Sequence, residues 1–324
     1  MTAISTSWRR VGLAAPTWLV RHAGVLAVLL LIGLFTTARS DVFLTGPNLL
    51  NVSQQIAVVA VLAAGLTLLM TAGGIDFSLG AIASVAHGVT AQLIVAGLSD
   101  GLAVVLVLAM GAVIGLVNGA MITLFNVTPF VATLASSTAL GGAALLIIDG
   151  QSVSIGDHLL MIGFGEVLGV IPVLVVIATA VCAAVGALMR WTAFGRNAFA
   201  IGGNESAARL SGIPVVRTKL LLYTLGGLLA ALGGVMLVAR LGAASPGAGG
   251  LHLELTVVAA VVIGGTALHG GSGTMVGTVL GVLLLGVVAN SLNLLQINPY
   301  YQDVALGAVL AVAAIANHLR ARRT

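Results

Sequence analysis

Arg190–Lys219, RWTAFGRNAFAIGGNESAARLSGIPVVRTK, is the one long polar interval in a chain otherwise made of apolar runs. It holds Arg190, Arg196, Arg209, Arg217 and Lys219, five of the 13 basic residues. Within it, Asn204 to Gly212 has the punctuation of a short helix. Asn204 caps it, Glu205 suits the positive N-terminal end and Arg209 the negative C-terminal end, while Gly212 closes it and Pro214 prevents its resumption. A capped helix in a basic interval between apolar runs predicts a docking element on the inner face of a membrane protein.

Composition agrees. With 59% hydrophobic residues, 7% charged and a mean hydropathy of +1.18, a 324-residue chain lacks the polar surface of a soluble globule. A bilayer core of roughly 30 Å takes about 20 apolar residues per helix. The expectation is therefore all-α: a polytopic transmembrane helical bundle of about ten spans, with residues 1–324 forming one domain. A barrel is disfavoured because the apolar runs are long and do not alternate with polar residues. The pI near 10.0 does not indicate nucleic acid, since the basic residues collect in short segments instead of a stripe. Cys182 stands alone in an apolar run, so there is no disulfide or thiolate metal framework.

In order, the expected spans are Ala23–Ala38, Leu49–Thr71, Ile75–Ala96, Leu102–Phe125, Pro129–Ile148, Ile171–Met189, Leu220–Leu241, Leu255–Leu268, Thr274–Leu292 and Tyr301–His318. The leader with Arg9, Arg10 and Arg21 is read as preceding a retained first span, with the N-terminus cytoplasmic. Counting from there places the loop with Asp149, Asp157 and Glu166 outside, and Arg190–Lys219 and the C-terminal Arg320, Arg322 and Arg323 inside. Both termini are then cytoplasmic and the basic clusters share one side, as the positive-inside bias requires. The short Leu255 span is a candidate for a broken or re-entrant segment.

Gly111, Gly115 and Gly119 form a small-residue ridge at spacing four, and Gly277 and Gly281 repeat the spacing, which predicts close helix packing. Gly73-Gly74 before Asp76, and Gly264-Gly265 with Gly270-Gly271 and Gly273, fall at expected inner turns and hint at a duplicated half.

Chemistry is sparse. The six histidines are scattered, no metal-ligand cluster or nucleophile motif is present, and adjacent Asp157-His158 read as loop residues. Lys219 is the only lysine and lies outside any glycine-rich phosphate loop, so the chain carries no P-loop ATPase site. Energy for transport must come from a partner or an ion gradient. Asp76, His87, Glu254 and Asp303 sit near expected helix ends, where capping or interface roles come first. Uncharged polar groups are the candidate substrate pathway: Asn51, Gln54 and Gln55 on one face, Asn118 and Thr133 inside spans with Ser136, and Asn290 and Asn293 with Gln296 near the far end. Such groups suit a neutral polyhydroxyl solute, and interhelical hydrogen bonding is their alternative use. With 4% aromatics, a stacking site of high affinity is not expected.

Gly74-Ile75-Asp76-Phe77-Ser78-Leu79-Gly80, Pro129-Phe130-Val131-Ala132-Thr133-Leu134, Gly195-Arg196 with Ala200–Asn204-Glu205 and Ala207–Ile213, and Glu254-Leu255 with Ala259–Thr266 and Gly270–Gly273 together resemble the membrane subunits of ribose-type bacterial ABC importers. The likeness runs from Gly65 to about Ala311. It implies a permease in the bacterial inner (cytoplasmic) membrane, paired with a second permease copy or paralogue. It further implies a cytoplasmic ATP-binding subunit that holds the ATP and Mg, and an extracytoplasmic sugar-binding protein. The chain itself would have no cofactor and no enzymatic site, with membrane lipid around it and no nucleic acid partner. Carried over, Asn204–Ser211 becomes the coupling helix, with Gly203, Asn204, Glu205, Ala208, Arg209 and Ser211 as its contact residues. Glu205 and Arg209 are then expected to touch the ATPase, and Arg190, Arg196, Arg217 and Lys219 to meet lipid head groups. Three positions depart from the family pattern: Thr256 stands where the family usually has Asp, and Phe77 and Phe199 replace Leu and Tyr. The implied solute is a monosaccharide or related polyol, moved by alternating access; an ion-coupled secondary carrier for a small neutral solute is the rival reading.

Overall fold

The computed structural model describes residues 17–298 together with residues 300, 301, 304, 307, 308 and 311. Its helices in chain order begin with α1 (Thr17–Thr37), α2 (Gly46–Thr71), α3 (Leu79–Val95), α4 (Asp100–Thr123) and α5 (Pro129–Ile147). A short irregular region follows, with β1 (Val153–Ser154), α6 (Leu160–Gly163), β2 (Glu166–Val167) and β3 (Ile171–Pro172). Then come α7 (Val173–Trp191), α8 (Ala193–Gly203), α9 (Glu205–Leu210), α10 (Val215–Leu241), β4 (Ala243–Ala244), α11 (Gly250–Ile263) and α12 (Met275–Leu294). Six of these, α2, α4, α5, α7, α10 and α12, are long and apolar enough to cross a membrane, while His22–Thr37, α3 and α11 are shorter apolar helices. The protein is a polytopic helical membrane protein. The expected tenth span, Tyr301–His318, and Asp303 within it lie largely outside the described residues.

Three expected boundaries move, each for a local reason. The third helix begins at Leu79 and not at Ile75, because Gly73, at φ +75°, turns the chain and Asp76 then folds over Ser78. The eighth runs Gly250–Ile263 and not Leu255–Leu268, since Gly265 takes φ +87° and breaks the ladder there. The largest difference concerns the polar interval. It is almost wholly helical, with Arg190 ending α7, Arg196 in α8, and Arg217 and Lys219 in the first turns of α10, which starts directly after Pro214.

Packing centres on α2 and α10. Most of their residues are buried against α3, α4, α11 and α12, whereas α4, α5 and α7 turn apolar side chains such as Val105, Leu146 and Val176 outward. Since lipid is as apolar as these side chains, the helices hold together by close fit and polar contacts. The Gly111–Gly119 ridge of α4 lies on α10. A β-carbon at Gly115 would meet the carbonyl of Tyr223, so only glycine admits this approach. Polar clasps add to the fit. Asn48 and Asn290 exchange two amide hydrogen bonds at 3.1 and 2.8 Å, and the hydroxyls of Thr67 and Thr278 meet at 2.7 Å, both joining α2 to α12. Thr36 of α1 donates to Ser291 of α12 at 2.7 Å.

The glycine turns of the two halves come together. Gly271 N–H donates to the carbonyl of Thr71 at 3.0 Å, and a β-carbon on Gly270 would meet both Gly73 and Gly202. The α2–α3 turn, the end of α8 and the α11–α12 loop thus form one knot at the end of the bundle that carries α9. At the opposite end β1 pairs with β4, Val153 facing Ala244, and Asp100 accepts from the Leu159 amide at 2.9 Å while its other oxygen meets His158 Nδ1 at 2.6 Å. His158 therefore pairs with Asp100 of α4, and not with its neighbour Asp157.

Candidate functional site

Two regions at opposite ends of α10 carry the candidate functional residues. At the first, Asn204 adopts extended backbone and its Oδ1 accepts from the Ala207 amide at 2.9 Å, satisfying one of the free N–H groups that start α9. Gly212, at φ +79°, ends the helix. The helix expected over Asn204–Gly212 thus forms as Glu205–Leu210. Its inner side is anchored by buried Ala208, and its outer side presents Leu210 at 90% exposure. Gly203 is exposed beside the cap, and Ser211 spends its hydroxyl on the Ala207 carbonyl.

Glu205 has a different neighbourhood from the one its position on a docking helix implies. Lys219 Nζ donates to Glu205 Oε2 at 2.5 Å and Arg209 Nη2 to Glu205 Oε1 at 3.3 Å. The Lys219 hydrogen bond holds the Glu205 carboxyl below the ordinary carboxylate range; partial burial opposes it, and the Lys219 charge with the Arg209 hydrogen bond and charge adds to the lowering. Lys219 is largely covered, at 19% side-chain exposure. It does not extend to lipid head groups; its ammonium is drawn back to Glu205 and ties α9 to α10.

Arg240 sits 21 residues after Lys219 on α10, about 30 Å away at the helical rise. Here α2, α10, α11 and α12 surround a cavity of about 200 Å³ lined by Gln55, Arg240, His252, Thr256 and apolar residues that include Leu237, Leu253 and Val282. Arg240 Nη2 donates to Asn51 Oδ1 at 2.9 Å. His252 and Thr256 fall four residues apart on α11, so both face the same space, and the Thr256 hydroxyl donates to the His252 carbonyl at 2.8 Å.

The structure distributes the other candidate pathway residues between this cavity and the packing contacts. Gln55 lines the cavity and Asn51 reaches it through Arg240, while Gln54 is half-buried on the same helix and Asn293 is exposed near the end of α12. Asn290 is not in the cavity lining; its amide is paired with Asn48. Thr133 accepts from the Phe77 amide at 3.1 Å and so braces the α2–α3 turn. Asn118 is fully buried in a chain of hydrogen bonds: Ser136 donates to Asn118, Asn118 to Ser78 Oγ at 2.8 Å, and Ser78 to Asp76.

Asp76, His87 and Glu254 prove more deeply placed than residues at helix ends. Asp76 and Glu254 are fully buried, and His87 is buried in the middle of α3. Glu254 accepts from Ser137 at 3.2 Å. Arg240 and Asn48 are the residues sequence reasoning missed. A lone arginine closing an apolar run was a usable signal for the first; the second had none, since its partner is 242 residues away.

A family model described as "Branched-chain amino acid transport system / permease component" matches residues 48–314. The ribose import permease protein of Escherichia coli (strain K12) is 39% identical over 323 residues, covering 98% of this chain and 99% of the relative. The ribose import permease protein of Bacillus subtilis (strain 168) is 41% identical over 276 residues, 84% of this chain and 85% of the relative. The D-allose transport system permease protein of Escherichia coli (strain K12) is 34% identical over 290 residues, 89% and 88% of the two chains. No solved structure matches. The chain belongs to this family of importer permease components, on the side of its ribose-type members.

Proposed function

We propose that the protein is the membrane permease subunit of an ATP-driven importer for a monosaccharide or related polyol. The observation that carries this reading is α9, a capped six-residue helix with an exposed Leu210, fastened to the buried helix α10 by Glu205 and Lys219. A helix so held moves with α10, which is what a part pushed by a partner requires. Gly203, Asn204, Glu205, Ala208, Arg209 and Ser211 form or support this docking surface, and residues 190–219 face the cytoplasm.

In this reading the chain crosses the inner membrane about ten times with both termini inside, and a second permease copy or paralogue completes the passage. A cytoplasmic subunit binds and hydrolyses ATP with Mg, since this chain has no phosphate loop of its own. An extracytoplasmic binding protein delivers the solute to the end of the bundle that holds Arg240. Closure of the ATPases shifts α9 and α10, and the packed spans exchange an inward-open for an outward-open arrangement, which admits the solute from its binding protein. Asn51, Gln54 and Gln55 stand at the entrance.

The test is copurification of the full chain with an ATP-binding subunit, followed by ATP-driven uptake in reconstituted vesicles. Glu205→Lys combined with Arg209→Glu should abolish uptake; undiminished uptake with normal subunit association would sink the docking assignment. Uptake that follows an imposed ion gradient with no second chain would replace it with a secondary carrier.

A further inference from the structure

Two carboxylates lie inside the bundle, each with one oxygen unused. Asp76 is 0% and Glu254 1% exposed, and neither Asp76 Oδ2 nor Glu254 Oε1 has a hydrogen-bond partner. Asp76 comes from the α2–α3 turn and Glu254 from α11, and they are close enough for a charge on one to act on the other. Gly80 permits the approach: a β-carbon there would stand 2.8 Å from the Glu254 β-carbon and would run into the Gly250 carbonyl. Two negative charges in one dry site repel each other and lose their hydration. Without a cation beside them, a proton on one is the least costly arrangement.

Among the described residues no ion pair reaches either carboxylate. Helix α11 packs on α2, α3 and α12, and Ser137 of α5 donates to Glu254. Of these helices α2, α5 and α12 have no titratable side chain. Helix α3 has only His87, about two turns beyond Gly80, with its ring held by the Ala243 backbone. From α10 comes Tyr223, near Asp76, whose hydroxyl donates to the Ile75 carbonyl at 3.2 Å. His252 and Arg240 line the cavity on the far side of α11, since two residues along a helix make about 200° of turn. Hydrogen bonds then separate the two acids. Asp76 Oδ1 accepts both the amide and the hydroxyl of Ser78, which suits an anion, whereas Glu254 has a single donor, Ser137, at 3.2 Å.

We propose that Glu254 is a proton-binding site inside the bundle, neutral beside the Asp76 carboxylate while α11 packs on the α2–α3 turn, and that it releases the proton when the two part. The step is an ionisation: the carboxyl O–H bond breaks, the proton passes to water admitted by the opening, and the carboxylate takes one up again before the packing closes. Release rests on the reading of the chain as an alternating-access permease; the bound proton does not.

Infrared spectroscopy of the full chain in detergent tests the site without transport. At neutral pH the unmodified protein and Asp76→Asn should both show the carbonyl absorption of a buried protonated carboxyl group, and Glu254→Gln should lose it. No such absorption in the unmodified protein, or no difference between it and Glu254→Gln, would overturn the proposal. Should Glu254→Gln fail to fold, Asp76→Asn decides, because loss of the absorption there would move the proton to Asp76. Thermal unfolding gives a second reading. As pH rises from about 6 to about 9 the unmodified protein should lose stability, since ionised Glu254 leaves a second charge buried, while Glu254→Gln keeps the Ser137 hydrogen bond and cannot ionise. Equal profiles would reduce Glu254 to a plain hydrogen-bond acceptor and end the proposal. In vesicles with the ATP-binding subunit and equal pH on both faces, uptake should fall with rising pH and stay level in Glu254→Gln. The same pH profile in both, with the absorption assigned to Glu254, would overturn the release step. No ATP-driven uptake at any pH would instead end the importer reading and leave the protonated site standing.

Discussion

Lys219 of α10 donates a 2.5 Å hydrogen bond to Glu205 of α9, across the turn that contains Gly212 and Pro214. The pair joins a largely exposed short helix to one whose residues are mostly buried. Exposed ion pairs contribute little stability, and this one is half-exposed on the Glu205 side, so its use is positional. Lys219→Met is therefore expected to leave thermal stability and ATPase association nearly unchanged while lowering uptake per ATP hydrolysed. The exchange Glu205→Lys with Lys219→Glu restores the pair in reverse and should restore part of the coupling. Uptake per ATP that is the same in all three proteins would show that α9 and α10 move together without the pair.

The same pair has a pH signature. The folded-state value of Glu205 lies below its ordinary 4.5, so its contribution is present above the ordinary value and is lost as pH falls through the lower folded value. Hydrogen exchange of the Asn204–Ser211 amides should be level from neutral pH down to about 4.5 once corrected for intrinsic chemistry, and protection should fall below that. In Lys219→Met the loss of protection begins at a higher pH, because the largest cause of the depression is gone. An unchanged profile would detach the helix from the carboxylate.

Much of this was legible in the sequence, and the reasons for the remainder are physical. Asn204, Gly212 and Pro214 act through their own backbone neighbours, so the cap and the stop of α9 follow from local chemistry. The glycine ridge was equally readable, because spacing four needs no knowledge of the partner. What a single chain does not display is which distant residue an amide will meet. Asn290 belongs to Asn48 and Thr133 to the Phe77 amide through contacts that exist only after α2, α5 and α12 assemble. Apolar runs also overstate helices: Ile75–Ala96 is continuous in hydropathy, yet Gly73 and the Asp76–Ser78 contact delay the helix to Leu79.

Gln55 and Asn290 should part company on mutation. Gln55 lines the cavity, so Gln55→Leu is expected to weaken uptake with little change in melting temperature of the detergent-solubilised protein. Asn290→Leu strands the buried Asn48 Oδ1 and leaves Asn48 Nδ2 only the Phe43 carbonyl, at a cost of about 1–3 kcal/mol, and should lower the melting temperature and the assembled yield. Asn48→Leu added to Asn290→Leu removes both partners and should regain part of that loss. A double variant no better than the single one would mean the amides contribute separately.

Gly115→Ala should be poorly tolerated. Its new methyl group points at the Tyr223 carbonyl and at Gly227, both backbone, so neither can step aside without moving α10. Overpacking of this kind costs roughly 1–3 kcal/mol, enough to reduce folded yield in a membrane preparation. Gly101→Ala on the same helix, where a β-carbon meets nothing, is the control and should behave as the unmodified protein. Equal yields for the two would remove the claim that the ridge sets the α4–α10 distance.

Ser78 is the residue on which the buried polar chain depends most. Asp76 Oδ1 accepts both its backbone amide, at 2.8 Å, and its hydroxyl, and the same hydroxyl oxygen accepts from Asn118 at 2.8 Å. Ser78→Ala thus withdraws a donor from one fully buried group and the acceptor from another. Asp76 Oδ1 keeps the backbone amide of residue 78, so the cost of roughly 1–3 kcal/mol falls mainly on the buried Asn118 Nδ2, left without its acceptor. Ser136→Ala takes away one donor to Asn118 and leaves the Asp76–Ser78 contact intact, so it should cost less. Melting temperatures of the two variants in detergent test the order. The expected result is a clear drop for Ser78→Ala and a smaller one for Ser136→Ala; a reversed order would place the anchor of the network on α5 and not in the α2–α3 turn.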